Sequence, residues 1–149
     1  IGRWMSSQDE VTADILVGEF ANGKSHGKGK FTWADKGEGK SEYIGTFSEG
    51  LRHGSGSLTV PFRIKNLAHG GYKVSEAVYE GQWSQGKRHG RGKWLQPDGG
   101  EYEGEYKFDK MWGTGAWRSR DGDTYEGRFK EGLRDGLGKF VAAHGEIYQ

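Results

Sequence analysis

Three histidines stand at one recurring position: His26, His53 and His89 each directly precede a glycine, and Trp112 and Asp135 fill the same position elsewhere. Zinc needs three or four ligands converging on one point. Side chains at equivalent positions of successive copies form a row, so the histidines are expected to be structural and no metal site is expected. Glu80, Glu103 and Glu126 recur in the same way. They are expected to be solvated and paired with the recurrent bases Arg52, Arg88, Lys110 and Arg134, in contacts stabilising by ~0–1 kcal/mol. No nucleophile, base and orienter set, HExxH or P-loop is present. Gly-x-Gly recurs, but as strand sequence with no helix behind it. No catalytic residue and no cofactor are therefore expected. The densest positive run is Lys87-Arg88-His89-Gly90-Arg91-Gly92-Lys93. Lys87, Arg88, Arg91 and Lys93 could meet anionic lipid headgroups at about 1 kcal/mol per base. The competing expectation is a solvated turn neutralised by Glu80, Glu101 and Glu103.

Composition narrows the scaffold that must carry these groups. The chain has 149 residues, with 28 glycines, 2 prolines, no cysteine and a hydrophobic fraction of 32%. A disulfide framework and thiolate metal sites are excluded. Collagen is excluded because glycine is not every third residue. No apolar run approaches the ~18 residues of a membrane-spanning helix. The net charge of +1 gives no global field to attract nucleic acid, and no nucleic acid partner is expected. Low hydrophobicity alone would imply disorder, but 6 Trp, 7 Tyr and 7 Phe argue for a packed structure.

The glycines and aromatics share one period. Tyr79, Gly81, Trp83, Gly86, Gly90, Gly92 and Trp94 recur as Tyr102, Gly104, Tyr106, Gly113, Gly115 and Trp117, and again as Tyr125, Gly127, Phe129, Gly132, Gly136, Gly138 and Phe140. Two upstream copies begin at Leu16 and Tyr43 and carry longer spacers. Gly2-Arg3-Trp4 matches the tail of a preceding copy, and Tyr148-Gln149 the start of a further one. The expected organisation is one array: residues 1–15 as tail and spacer, copies at 16–42, 43–78, 79–101, 102–124 and 125–147, and 148–149 opening the next. The array is expected to be a fragment of a longer one.

Tyr-x-Gly-x-Trp places three side chains on one face of a strand, and Gly-x-Gly-x-Trp does the same for a second. The segment Ser84–Gly90 reads as the loop between them. Asp98-Gly99, Asp121-Gly122 and His144-Gly145 read as type I′ turns. Each copy is thus one β-hairpin, in which glycine leaves slots for neighbouring rings to lie across the sheet. The fold class is all-β: an elongated, single-layer, twisted antiparallel sheet of consecutive hairpins. No copy should fold alone, because each depends on its neighbours. Residues 57–64 and 72–78 predict an elongated hairpin projecting from the array, with Pro61 at an edge, as a specificity element for one partner.

The pattern Tyr-x-Gly-x-(Trp/Phe)-x-x-Gly-x-x-x-Gly-x-Gly-x-aromatic resembles the MORN repeat (membrane occupation and recognition nexus), over five copies and two stubs from Gly2 to Gln149. Leu16 and Leu58 replace aromatics, Asp109 replaces a turn glycine, and two spacers are enlarged. The resemblance implies an elongated, curved sheet of hairpins and roles as scaffold or docking modules in cytoskeletal, ciliary and membrane-contact proteins. Some members carry the array beside an enzyme domain.

Function is therefore expected to be non-catalytic docking of a protein segment, extended or helical, or of a second copy, in a cytoplasmic cytoskeletal or ciliary assembly. Exposed rings spaced by glycine suit such a segment. The candidates are Tyr43, Phe47, Tyr79, Trp83, Trp94, Tyr102, Tyr106, Trp117, Tyr125 and Phe129, each ring expected to keep one side open. Phe108, Met111 and Trp112 add three large apolar residues to a turn that is polar elsewhere, expected to form one contact patch. The alternatives are the anionic-lipid module with peripheral membrane association, and a regulatory repeat of a larger enzyme.

Overall fold

The computed structural model describes residues 1–6, 14–35, 39–65, 68 and 70–149. Twelve strands follow in order: β1 Gly2–Met5, β2 Ile15–Ala21, β3 Lys24–Asp35, β4 Gly39–Ser48, β5 Leu51–Lys65, β6 Tyr72–Ser84, β7 Lys87–Leu95, β8 Glu101–Lys107, β9 Lys110–Arg118, β10 Thr124–Lys130, β11 Leu133–Val141 and β12 Ile147–Tyr148. Each pairs antiparallel with the next, giving one open, single-layer, twisted sheet. At ~4.8 Å per strand it extends about 50 Å across the strands. Among the described residues there is no helix. The outermost strands pair with the neighbouring copies: Gly2 faces Gly18 and Tyr148 faces Phe140. The spacer before the first copy falls largely on residues 7–13, outside the described residues.

Turn chemistry sets the register, and here the structure corrects the sequence reading. Type I′ geometry lies inside each copy, not between copies. Gln85 (φ 49) and Gly86 (φ 82) form the whole turn, and Lys87 already begins β7. The equivalent pairs are Asn22-Gly23, Glu49-Gly50, Phe108-Asp109 and Glu131-Gly132, all at positive φ. That left-handed region suits glycine, and two such residues match the twist of paired strands. The Asp98-Gly99 reversal is different. Gly99 N–H donates to the Gln96 carbonyl at 3.0 Å, and only Gly99 has positive φ. This is a three-residue loop ending in a glycine bulge. Gly122 and Gly145 repeat it with Ser119 and Ala142.

A second irregularity recurs within every hairpin. Between Gly81↔Gly92 and Trp83↔Arg88, β7 holds two more residues than β6. Gly90, at φ 79, absorbs the excess. The side chain opposite repairs the ladder: Gln82 Oε1 accepts the Arg91 N–H at 2.8 Å. Glu19 accepts from Lys28 at 3.3 Å, Thr46 Oγ1 from Ser55 at 3.2 Å and Glu105 from Thr114 at 2.5 Å. In the fifth copy the position is Arg128, which has no acceptor.

The core is a chain of rings. Tyr43, Phe47, Tyr79, Trp83, Tyr102, Tyr106, Tyr125 and Phe129 form one buried cluster. Successive pairs meet edge to face at centroid distances of 5.1–5.4 Å, alternating within copies (Tyr43–Phe47, Tyr79–Trp83) and between them (Tyr43–Trp83, Tyr79–Tyr106, Tyr102–Phe129). Each such pair contributes ~0.5–1.5 kcal/mol beyond area burial. The tyrosine rings lie over cross-strand glycine pairs. A Cβ on Gly56 or Gly92 would fall inside the ring of Tyr43 or Tyr79. The hydroxyls donate across the bulge to main-chain carbonyls: Tyr43 to Thr46, Tyr79 to Gln82 and Tyr102 to Glu105 at 2.8–2.9 Å, and Tyr125 to Arg128 at 3.1 Å. The slots expected from the sequence are thus occupied, and the core is shared between copies as the repeat reading requires.

The long hairpin forms as expected, β5 and β6 pairing out to Lys65↔Tyr72. Beyond Glu42↔Thr59, its last pair with β4, β5 becomes an edge. Pro61 lies in that segment, where a missing N–H breaks no ladder. Asn66, Leu67 and His69 at the tip lie outside the described residues.

Candidate binding surface

Burial separates the expected contact residues into two groups. Tyr43 and Tyr79 are 0% exposed, Tyr102 is 2%, Trp83 is 4%, and Tyr106, Tyr125 and Phe129 are 5%. Phe47 is buried with them. These eight rings are core, so the expectation that each keeps an open side is corrected. The reason is the interlock: edge-to-face contacts close the flanks, glycines let the rings sink, and arginines cover the top. Trp94 and Trp117 remain half-buried, with Phe31, Leu58, Phe140 and Met111. Each of Leu58, Trp94 and Trp117 sits in register between two tyrosines, its own copy's and the next one's. The exposed surface of this face is therefore a strip of tail residues rising above a tyrosine floor.

Three arginines complete the strip. The Arg52 guanidinium lies 4.5 Å from the Trp83 ring centroid. Arg88 is 5.7 Å from Tyr79, 5.4 Å from Trp94 and 5.1 Å from Tyr106. Arg134 is 5.5 Å from Tyr125 and 5.4 Å from Phe140. Such contacts contribute ~0.5–2 kcal/mol, more when desolvated. The expected pairing of these arginines with Glu80, Glu103 and Glu126 does not occur, because alternation puts the glutamates on the opposite face. Ion pairs on that face include Lys93–Glu101 at 3.7 Å and Arg118–Glu101 at 3.2 Å.

Electrostatics follow burial. Desolvation pushes the Tyr43 and Tyr106 hydroxyls up from 10.0 to about 12, against the opposing pull of Arg52 and Arg88 respectively. Tyr79 and Tyr102 are raised further, chiefly by burial and then by neighbouring Tyr106. Burial also lowers the Arg52 guanidinium. All four tyrosines are neutral hydrogen-bond donors throughout the physiological range.

Two equivalent grooves indent this face. One, of about 560 Å³, is lined by Phe31, Trp33, Phe47, Leu51 and Arg52. The other, of about 400 Å³, is lined by Met111, Trp117, Phe129, Leu133, Arg134 and Phe140. Each has a buried ring as floor, a tail aromatic as one wall and a Gly-Leu-Arg segment as the other.

The Phe108, Met111 and Trp112 patch divides between faces. Met111 occupies the arginine position and packs on the core. Trp112, facing Glu105, lies on the reverse side, and Phe108 projects from the turn at 61% exposure. The basic run divides as well. Arg88 belongs to the aromatic face, while Lys87, Arg91 and Lys93 lie on the reverse. Among the described residues, no three His, Cys, Asp or Glu side chains are placed to hold a metal. His53 instead faces the next copy's turn, its Nδ1 accepting the Gln85 N–H at 3.5 Å.

The turns stack as regularly as the rings. Gly50 N–H donates to Ser25 O, Gly86 to Arg52 O, Asp109 to Arg88 O and Gly132 to Met111 O, at 2.8–3.1 Å. The sequence signal missed at this level was strand alternation through residues 87–90, which separates Arg88 from its basic neighbours.

A search of curated proteins returned no match to the chain. The family model for the MORN repeat matches five times, at residues 17–38, 43–60, 79–101, 102–124 and 125–145. Five matched copies, four of them with a tyrosine sunk over a glycine pair and the first with Leu16 in its place, make this chain a member of the MORN-repeat family.

Proposed function

We propose that the chain is a non-catalytic docking module, holding a segment of another protein along the strip formed by Trp94, Trp117, Phe140, Leu58 and Phe31. The observation that carries this reading is the division of the aromatic face into a buried floor and a half-exposed strip with guanidinium groups stacked along it. Aromatic and arginine side chains are the residues enriched at interface hot spots. The rigid ladder beneath keeps them in place, so little order is lost on binding. Family membership supports binding rather than catalysis as the general role. Placement in a cytoplasmic cytoskeletal or ciliary assembly is part of the same proposal. The test is binding of the native partner to the parent and to Trp94→Ala/Trp117→Ala, with strand content followed by circular dichroism. Loss of binding by at least about tenfold in a folded variant supports the reading. Unchanged affinity contradicts it.

A further inference from the structure

The turn joining β8 to β9 breaks three local rules at once. It is the only one of the five two-residue turns inside the copies that lacks glycine, holding Phe108 at φ 50 and Asp109 at φ 68. A bulky side chain at positive φ is a backbone outlier. Lys107 and Lys110 pair directly across the strands that the turn joins, and opposed like charges destabilise a sheet. Phe108 is also 61% exposed. Asp109 is compensated by its bonds to Arg88, but the exposed Phe108 and the Lys107–Lys110 pair bring no such bond, and uncompensated breaches concentrate where a chain does its work.

The surroundings define what this corner suits. The Lys87 and Lys107 ammonium groups lie 5.9 and 5.8 Å from the Phe108 ring centroid. Lys107 is also 5.0 Å from the Trp112 ring. Alternation puts Lys87, Lys107, Lys110 and Trp112 on the face opposite the tyrosine floor. Two carboxylates of the same hairpin are engaged internally: Asp109 accepts the Arg88 N–H at 2.8 Å, and Glu105 the Thr114 N–H at 2.5 Å.

We propose that this corner is a second binding site, which takes an acidic protein segment carrying an apolar anchor. Lysines supply the complementary charge, and Phe108 with Trp112 supplies the apolar contact. A flat anionic membrane suits the corner less well. Glu131 holds the Phe108 position in the next copy's turn and Glu49 holds it two copies earlier, so a plane resting on this edge would press on both carboxylates. A single segment crossing β7 to β9 meets neither. The site lies on the reverse of the sheet and stands independently of the docking strip. With both occupied, the module bridges two partners.

The test uses the 149-residue chain and a short fluorescein-labelled peptide of Glu and Asp with one central Phe. The comparisons are its Gln/Asn counterpart, phosphatidylserine-containing vesicles and oligothymidylate. Two variants carry the test. Phe108→Asn suits positive φ, and Lys107→Gln/Lys110→Gln removes the like-charge pair. Both are expected to fold at least as well as the parent, checked by thermal unfolding. The expected result is binding of the acidic peptide that weakens at least about tenfold in each variant, with the neutral peptide, vesicles and oligothymidylate bound more weakly. No binding of the acidic peptide, equal binding in the variants, or preference for vesicles or oligothymidylate overturns the proposal.

Discussion

Arg88 and Asp109 hold two neighbouring copies together by exchanging bonds in both directions. The Asp109 carboxylate accepts the Arg88 main-chain N–H at 2.8 Å, the Arg88 guanidinium donates to the Asp109 carbonyl at 2.8 Å, and the Asp109 N–H donates to the Arg88 carbonyl at 3.1 Å. Asp109 thus replaces a turn glycine and gains an inter-copy clamp. Asp109→Ala removes the acceptor and places a residue poorly suited to φ 68 in the turn. It should destabilise by about 1–3 kcal/mol. Asp109→Asn keeps an acceptor and tolerates the backbone, so it should lose less than half as much. Urea unfolding followed by tryptophan emission measures both.

Glycine beneath tyrosine is a matter of space. Gly92→Ala would drive a methyl group into the Tyr79 ring, and overpacking of this kind costs about 1–3 kcal/mol. Coupling through the ring chain should spread the effect beyond the mutated copy. Hydrogen exchange should show protection lost in β8 and β9 as well as in β6 and β7.

The buried tyrosines set an alkaline limit. Their folded pKa values are raised, to about 12 for Tyr43 and Tyr106, so the folded state holds protons that the unfolded state releases near the ordinary value. Their contribution is complete below about pH 10 and falls as pH rises from there through the folded values. Stability should be insensitive to these groups near neutrality and drop steeply above about pH 10. Tyrosinate absorbance should rise late, together with unfolding. Early titration of all tyrosines in a still-folded chain would contradict the buried floor.

The bulge predicts a stabilising change. Gln82 and Glu105 repair their ladders by accepting an N–H, and Arg128 cannot. Arg128→Gln should supply the acceptor for the Leu137 N–H and stabilise by about 0.5–1.5 kcal/mol. Gln82→Ala should destabilise by a similar amount. Denaturant midpoints of the two variants should move in opposite directions.

Fold and site were unequally legible in the sequence. The period in tyrosine, glycine and tryptophan carries strand faces, hairpins and the glycine slots, because all three are local consequences of alternation. Turn type was less legible. Asp98-Gly99 resembles a type I′ pair, but loop length decides the geometry, and length is set by pairing Gln96 with Gly100. The same mistake at Ser84–Gly90 hid the start of β7 at Lys87, and so merged Arg88 with Lys87, Arg91 and Lys93. Core and contact rings occupy different columns of the repeat, but the sequence does not say which columns are buried. Burial is decided in three dimensions, where Tyr79 is clamped by Trp83 and Tyr106 from two different copies.

The most direct test of the docking strip is photo-cross-linking. Benzophenone side chains would be placed at Trp94 and Trp117 on the aromatic face, and at Lys30 and Lys139 on the reverse, away from the Phe108 corner. The docking account predicts adducts with the native partner from Trp94 and Trp117 and none from Lys30 or Lys139. Adducts from the reverse positions alone would contradict it.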